Sequence, residues 1–163
     1  MSQNADPHQN ERTFTVALVL LLVAFIGTII VSYLYSVSRY NAKRSINGLQ
    51  KATPEARAQA AKRLGENQEG FAVRALIEAL TDDAPMVRAS AATALGQIGD
   101  KDAIGPLVKS LSDENTHVRK NAAGALGNFD DPRTVDPLIR ALKDNEAIVR
   151  LVAIDSMVKL KDT

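Results

Sequence analysis

Two histidines, His8 and His117, are the only imidazoles in a chain of 163 residues, and there is no cysteine. Transition-metal chemistry needs several such ligands held together, and these two cannot form a pair at helical spacing. Without cysteine there is neither disulfide nor thiolate chemistry. Asp and Glu are plentiful, but they fall at turns and helix starts, where capping and the helix dipole account for them. No two of them invite assignment as general acid and base. No glycine-rich loop follows a strand, so no phosphate cradle is indicated. The charged residues that do recur are Asp82, Asp113 and Asp144, with Arg88, Arg119 and Arg150, both sets at one constant interval. Their spacing shows repetition and nothing more. The expectation is therefore no catalytic residue, no metal site, no cofactor and no small-molecule substrate.

The same period runs through the apolar positions. Val87, Val118 and Val149 keep it, as do Leu95, Leu126 and Met157, Gly96 and Gly127, Pro106 and Pro137, and Leu111 and Leu142. A fixed period of this length is the signature of a stacked repeat. Arg57 stands one period before Arg88 and Gly65 one period before Gly96, so a degenerate copy begins near Thr53. Thr53-Pro54-Glu55 has the residues of a helix start: a cap, a first-position proline and a first-turn acid. Ala56, Ala60, Ala61 and Leu64 are its expected apolar stripe. Helices are expected from about 85 to 98, 118 to 129, 135 to 142 and 146 to 160, with shorter partners around Val73–Leu80 and Ile104–Leu111. Seven short helices result, none of which buries its apolar face alone, so stacking must supply the core. Gly96 and Gly127 lie inside helical patterns, where glycine costs about 1 kcal/mol, and close helix approach is the expected compensation.

A different element precedes the repeats. Phe14 to Val37 contains no charged side chain. A helix of roughly 22 residues spans about 33 Å, enough for the hydrocarbon core of a bilayer. Phe14 marks one edge, and Tyr33, Tyr35 and Tyr40 mark the other. The run exceeds an ordinary signal-peptide core and lacks a basic leader, so a retained anchor is expected. Ala24, Gly27, Thr28 and Ser32 place small side chains on one face, suited to packing against another transmembrane helix. Arg12 precedes the run, whereas Arg39, Lys43, Arg44 and Lys51 follow it. This asymmetry puts the N-terminus outside and the C-terminal domain in the cytoplasm. The membrane expected is a bacterial inner membrane. Tyr33, Tyr35, Arg39, Tyr40, Lys43 and Arg44 should meet the interface and its lipid headgroups. The expected division is a flexible polar tail (1–12), a transmembrane helix (13–38), a basic linker (39–52) with a turn at Asn47-Gly48, and a helical domain (53–163). That domain is nearly neutral, 15 Lys and Arg against 17 Asp and Glu, unlike a nucleic-acid binder.

The units VRASAATALGQIGDKDAIGPLVKSLSD and VRKNAAGALGNFDDPRTVDPLIRALKD resemble HEAT repeats, in the short form found in phycobilin lyases and many bacterial proteins. The resemblance implies an all-α chain: one transmembrane helix, then a short α-solenoid of about three and a half helix pairs. It also implies that Asp82 with Arg88, Asp113 with Arg119, and Asp144 with Arg150 tie neighbouring units together in a ladder. Some relatives are iron-dependent hydroxylases that use His-Glu pairs, and this chain has no His-Glu dipeptide. The function to expect is a non-catalytic accessory or scaffold subunit of a membrane complex. Its partners would be other transmembrane subunits and a cytoplasmic protein or domain. A free-standing adaptor and a membrane-bound maturation enzyme are the alternatives. In the last helix, Leu151 and Val152 replace smaller or polar residues of earlier units, and they are candidate docking residues, whereas Ile154 is expected in the core.

Overall fold

The computed structural model describes residues 7–51, 53–68 and 70–161. Eight α-helices are found among them: α1 (Pro7–Lys51), α2 (Pro54–Glu66), α3 (Val73–Ala79), α4 (Pro85–Ile98), α5 (Ile104–Ser110), α6 (Thr116–Leu126), α7 (Val135–Ala141) and α8 (Ala147–Lys161). Short 3-10 turns at Gly70–Ala72, Lys101–Ala103 and Pro132–Thr134 lead into α3, α5 and α7. No strand occurs among the described residues. The start of the expected polar tail, 1–6, lies outside the described residues, as do the side chains of Phe14 and Arg12. The chain is already helical from Pro7, where its composition predicts coil to residue 12; a proline at a helix start needs no hydrogen-bond partner.

Two compact units divide the chain, residues 1–41 and 42–163. The first contains Leu18–Val37, 20 residues with a mean hydropathy of 2.5 and none of them buried. By length and composition this stretch can cross a bilayer.

The second unit is a solenoid. Helices α2, α4, α6 and α8 stack in one row, each on the next, and α3, α5 and α7 pack against α4, α6 and α8. Its core repeats with the sequence: Leu64, Leu95 and Leu126; Leu76, Leu107 and Leu138; Val87, Val118 and Val149 are all fully buried. Each such side chain contributes about 1.5–3 kcal/mol on burial. In α2 the buried alanines are Ala58, Ala60 and Ala61, whereas Ala56 is exposed. Thr53 occupies the cap position of α2 but makes no side-chain capping bond. Gly99 ends α4 in the left-handed region, φ 72°, and its N–H reaches the Leu95 carbonyl.

Asn47-Gly48 is not a turn. Both residues are helical, inside α1. Ile46 and Leu49 are partly buried against the core, and a Cβ on Gly48 would lie 3.2 Å from Ala60 Cβ. Packing thus overrides the local turn preference.

The glycines at the helix crossings behave as expected. A Cβ on Gly65 would meet Ala94 Cα at 2.6 Å, one on Gly96 would meet Ala125 Cα at 2.6 Å, and one on Gly127 would meet Ser156 Cβ at 2.5 Å. Each of these glycines lets the next helix of the row approach.

Candidate protein-interaction surface

The recurrent Asp and Arg residues form a ladder, in a different register from the one expected. Arg57 donates to both carboxylate oxygens of Asp82, each at 2.8 Å, and Arg88 does the same to Asp113. Arg119 reaches Asp144 at 2.8 and 3.1 Å. The side-chain pairs therefore join one unit to the next. Within a unit the link is to backbone: Arg88 Nη1 donates to the carbonyls of Asp82 and Asp83 at 2.9 and 3.2 Å, and Arg119 Nη1 to those of Asp113 and Glu114. The pairing of Asp82 with Arg88, Asp113 with Arg119 and Asp144 with Arg150 is thus corrected to an Arg-to-carbonyl bond in each case. Arg57, absent from the expected ladder, is its first rung; its place one period before Arg88 was the available signal.

The ladder is mostly buried, with side-chain exposures of 10–20% across its three ion pairs. Each aspartate also accepts from a backbone N–H two residues on, at Ala84, Asn115 and Glu146. The Arg57 fork holds the Asp82 carboxyl below the usual carboxylate range, and Arg119 does so for Asp144. At Asp113 burial pushes the carboxyl up, and the bonds from Arg88 and the Asn115 N–H outweigh it. Asp131 is held well below the carboxylate range by the Arg133 side chain and N–H, and it caps the turn before α7.

A second set of bonds joins neighbouring helices of the row and was not legible from the repeat period. Asn121 donates to the Ala89 carbonyl and the Thr93 hydroxyl at 3.1 Å, and Asn128 to the Gly96 carbonyl at 3.2 Å. Ser156 donates to the Ala123 carbonyl at 2.9 Å. These polar groups act within the solenoid. His117 is exposed near the start of α6, with its N–H on the Asn115 side chain. No cluster of metal-ligating side chains occurs among the described residues.

Surfaces open to a partner lie elsewhere. On α1, Ala24, Gly27, Thr28, Val31, Ser32 and Tyr35 line a shallow groove of about 520 Å³. The Thr28 hydroxyl bonds the Phe25 carbonyl of its own helix at 2.7 Å. Tyr33, Tyr35 and Tyr40 are exposed, as are Lys43 and Arg44, and the Arg39 guanidinium lies 5.8 Å from the centre of the Tyr35 ring. Between α3 and α5, Ile77, Thr81, Lys109 and Asp113 help line a groove of about 330 Å³. At the end of the stack Leu151 is exposed, but Val152 is partly buried and its Cγ1 would lie 3.4 Å from a Cβ on Gly124. Ile154, expected in the core, is 50% exposed. The two residues exchange roles because α6 lies under 152 and 156, leaving the face that carries 151 and 154 uncovered.

Solved structures share this fold. Human deoxyhypusine hydroxylase, in complex with glycerol, matches at 25% identity over 75% of this chain and 44% of its own, with a TM-score of 0.66. The complex of CpcE and CpcF of phycocyanin lyase from Nostoc sp. PCC7120 matches at 23% identity over 75% of this chain and 65% of its own, TM-score 0.60. A designed armadillo repeat protein in complex with the peptide (KR)4 matches at 19% identity over 71% of this chain and 62% of its own, TM-score 0.58. This chain therefore spans less than two thirds of the length of each. No curated protein sequence matches it. The model of the family described as HEAT repeats matches residues 43–112 and 73–158, most of the chain, and the protein belongs to that family.

Proposed function

We propose that this protein is a non-catalytic, membrane-anchored scaffold: an accessory subunit whose α1 packs against other transmembrane helices and whose solenoid holds a cytoplasmic protein or domain. One observation carries the reading. The recurrent charged residues are engaged in holding units together, while the exposed apolar area is concentrated on α1 and at the end of the stack. Contiguous exposed apolar surface marks a contact in a folded protein. The small-residue face of α1 suits close approach of another helix, and Tyr33, Tyr40, Lys43 and Arg44 suit a bilayer interface with the solenoid on the cytoplasmic side. Purification of the full chain from its own membranes in mild detergent tests this. A partner recovered in fixed ratio is expected; a lone chain, under conditions that keep other complexes intact, contradicts it.

The likeness to a hydroxylase and to a lyase favours a second reading, a membrane-bound maturation enzyme using the groove between α3 and α5. A small molecule copurifying with the chain and released by Lys109→Ala would carry that reading instead.

A further inference from the structure

We propose that the α8 end of the stack is a docking face for a helical segment of another protein, one that brings an Asp or Glu carboxylate to Arg150. This rests on the scaffold reading and names a site and a partner chemistry within it. Arg150 keeps half of the ladder geometry: its Nη1 donates to the Asp144 and Asn145 carbonyls at 2.7 and 2.9 Å. The other half is missing. Arg57, Arg88 and Arg119 each hold an aspartate of the next unit, whereas Arg150 makes no ion pair or hydrogen bond with a carboxylate among the described residues, the Asp144 carboxyl only feeling its charge. A guanidinium fork already oriented on one side is prepared for bidentate carboxylate recognition on the other.

The apolar surface beside it lies in the same register. Leu151, Ile154 and Val158 are 53%, 50% and 55% exposed, and their spacing puts them on one face of α8. The corresponding residues of α4, Ala89, Ala92 and Gly96, are buried, with Gly96 directly against α6. So α8 offers to solvent the positions that an inner helix covers with its successor, and offers them enlarged. Val158 stands where Gly65, Gly96 and Gly127 admit the next helix, which excludes a further repeat at the same close separation. The occupant is an amphipathic helix held farther out by its own side chains. A second copy stacked head to tail does not continue the ladder: the position one period before Asp82 is Lys51, so the sequence supplies no carboxylate there. Lys159 and Lys161, in the last turn of α8, add to the preference for an acidic partner.

The test uses the full chain in the cells that make it, with the photo-crosslinking residue p-benzoylphenylalanine replacing Val158, or replacing Ile139 on α7 as a control. The expected product joins Val158→p-benzoylphenylalanine to a peptide of a different chain that has an Asp or Glu within about two helical turns of the joined residue. Arg150→Ala and Leu151→Asp should each lower its yield about tenfold with an unchanged melting curve. Should Arg150→Ala lower the melt, Leu151→Asp decides, because Leu151 is exposed. Joining to a second copy or to lipid, a peptide without an acid, or a yield indifferent to Leu151→Asp overturns the proposal. If position 158 joins nothing while position 139 joins another protein, this face is wrong and the scaffold reading stands. If neither position joins a protein, both fall.

Discussion

Gly96→Ala puts the packing argument to a test of sign. An interior helical glycine replaced by alanine gains about 1 kcal/mol from helix propensity alone. At Gly96 the added methyl would sit 2.6 Å from Ala125 Cα and 2.7 Å from Ala125 Cβ, so the obstacle is the neighbouring helix itself and not the end of a flexible side chain. Overpacking of this kind costs about 1–3 kcal/mol, and a backbone obstacle belongs at the upper end. The net expectation is a loss of about 2 kcal/mol, or a fall in Tm of about 8 °C for a unit of this size. Gly124→Ala is the control. Gly124 also lies within a helix, α6, but a Cβ there meets only Val152 Cγ1, at the ordinary contact distance of 3.4 Å. It should raise Tm by about 2–4 °C. Circular dichroism melts of the full chain in detergent measure both. If Gly96→Ala stabilises as Gly124→Ala does, α4 and α6 are not in close approach and the account of the repeat is wrong.

Asp113→Asn leaves the Arg88 guanidinium mostly buried without its full partner and should cost about 2–3 kcal/mol in the same melts, whereas Arg74→Ala, which removes an exposed pair with Glu78, should leave them unchanged. Asp82, Asp113 and Asp144 titrate below the usual carboxylate range when folded, so their contribution is complete above the unfolded value of about 3.9 and is lost as pH falls through the folded values. Melts should therefore be insensitive to these groups from pH 5 to 7 and drop steeply below about pH 4; a ladder-dependent loss between pH 7 and 5 would contradict this. In a chain without cysteine, Ser112→Cys supplies one thiol on an exposed residue, and an impermeant maleimide should label it only after cells are opened. Labelling of sealed cells would overturn the proposed cytoplasmic placement of the solenoid.

The solenoid was legible because one constraint wrote itself repeatedly into the chain. Three successive units place Leu at the Leu64, Leu95 and Leu126 positions and glycine at the crossings Gly65, Gly96 and Gly127, so the period announces both core and contact. The ladder register was not legible. The fixed period places Asp82, Asp113 and Asp144 each at two distances from an Arg, 6 residues within a unit and 25 between units, and only three-dimensional stacking selects the longer one. The turn at Asn47-Gly48 failed for a related reason: local preference is weak beside the burial of Ile46 and Leu49. At α8 register with the inner units points Val152 outward and Ile154 inward; in the structure Val152 lies against Gly124 of α6 and Ile154 is exposed. Asn121, Asn128 and Ser156 do not recur with the period, so their bonds to neighbouring helices left no repeated trace.

Native mass spectrometry of the full chain, extracted from its own membrane in lipid discs, tests the central claim most directly. The account predicts a species heavier than 17.6 kDa by the mass of at least one different protein chain, in a fixed ratio that survives dilution. A population of the 17.6 kDa chain alone, or of its own oligomers without a second protein, would contradict it.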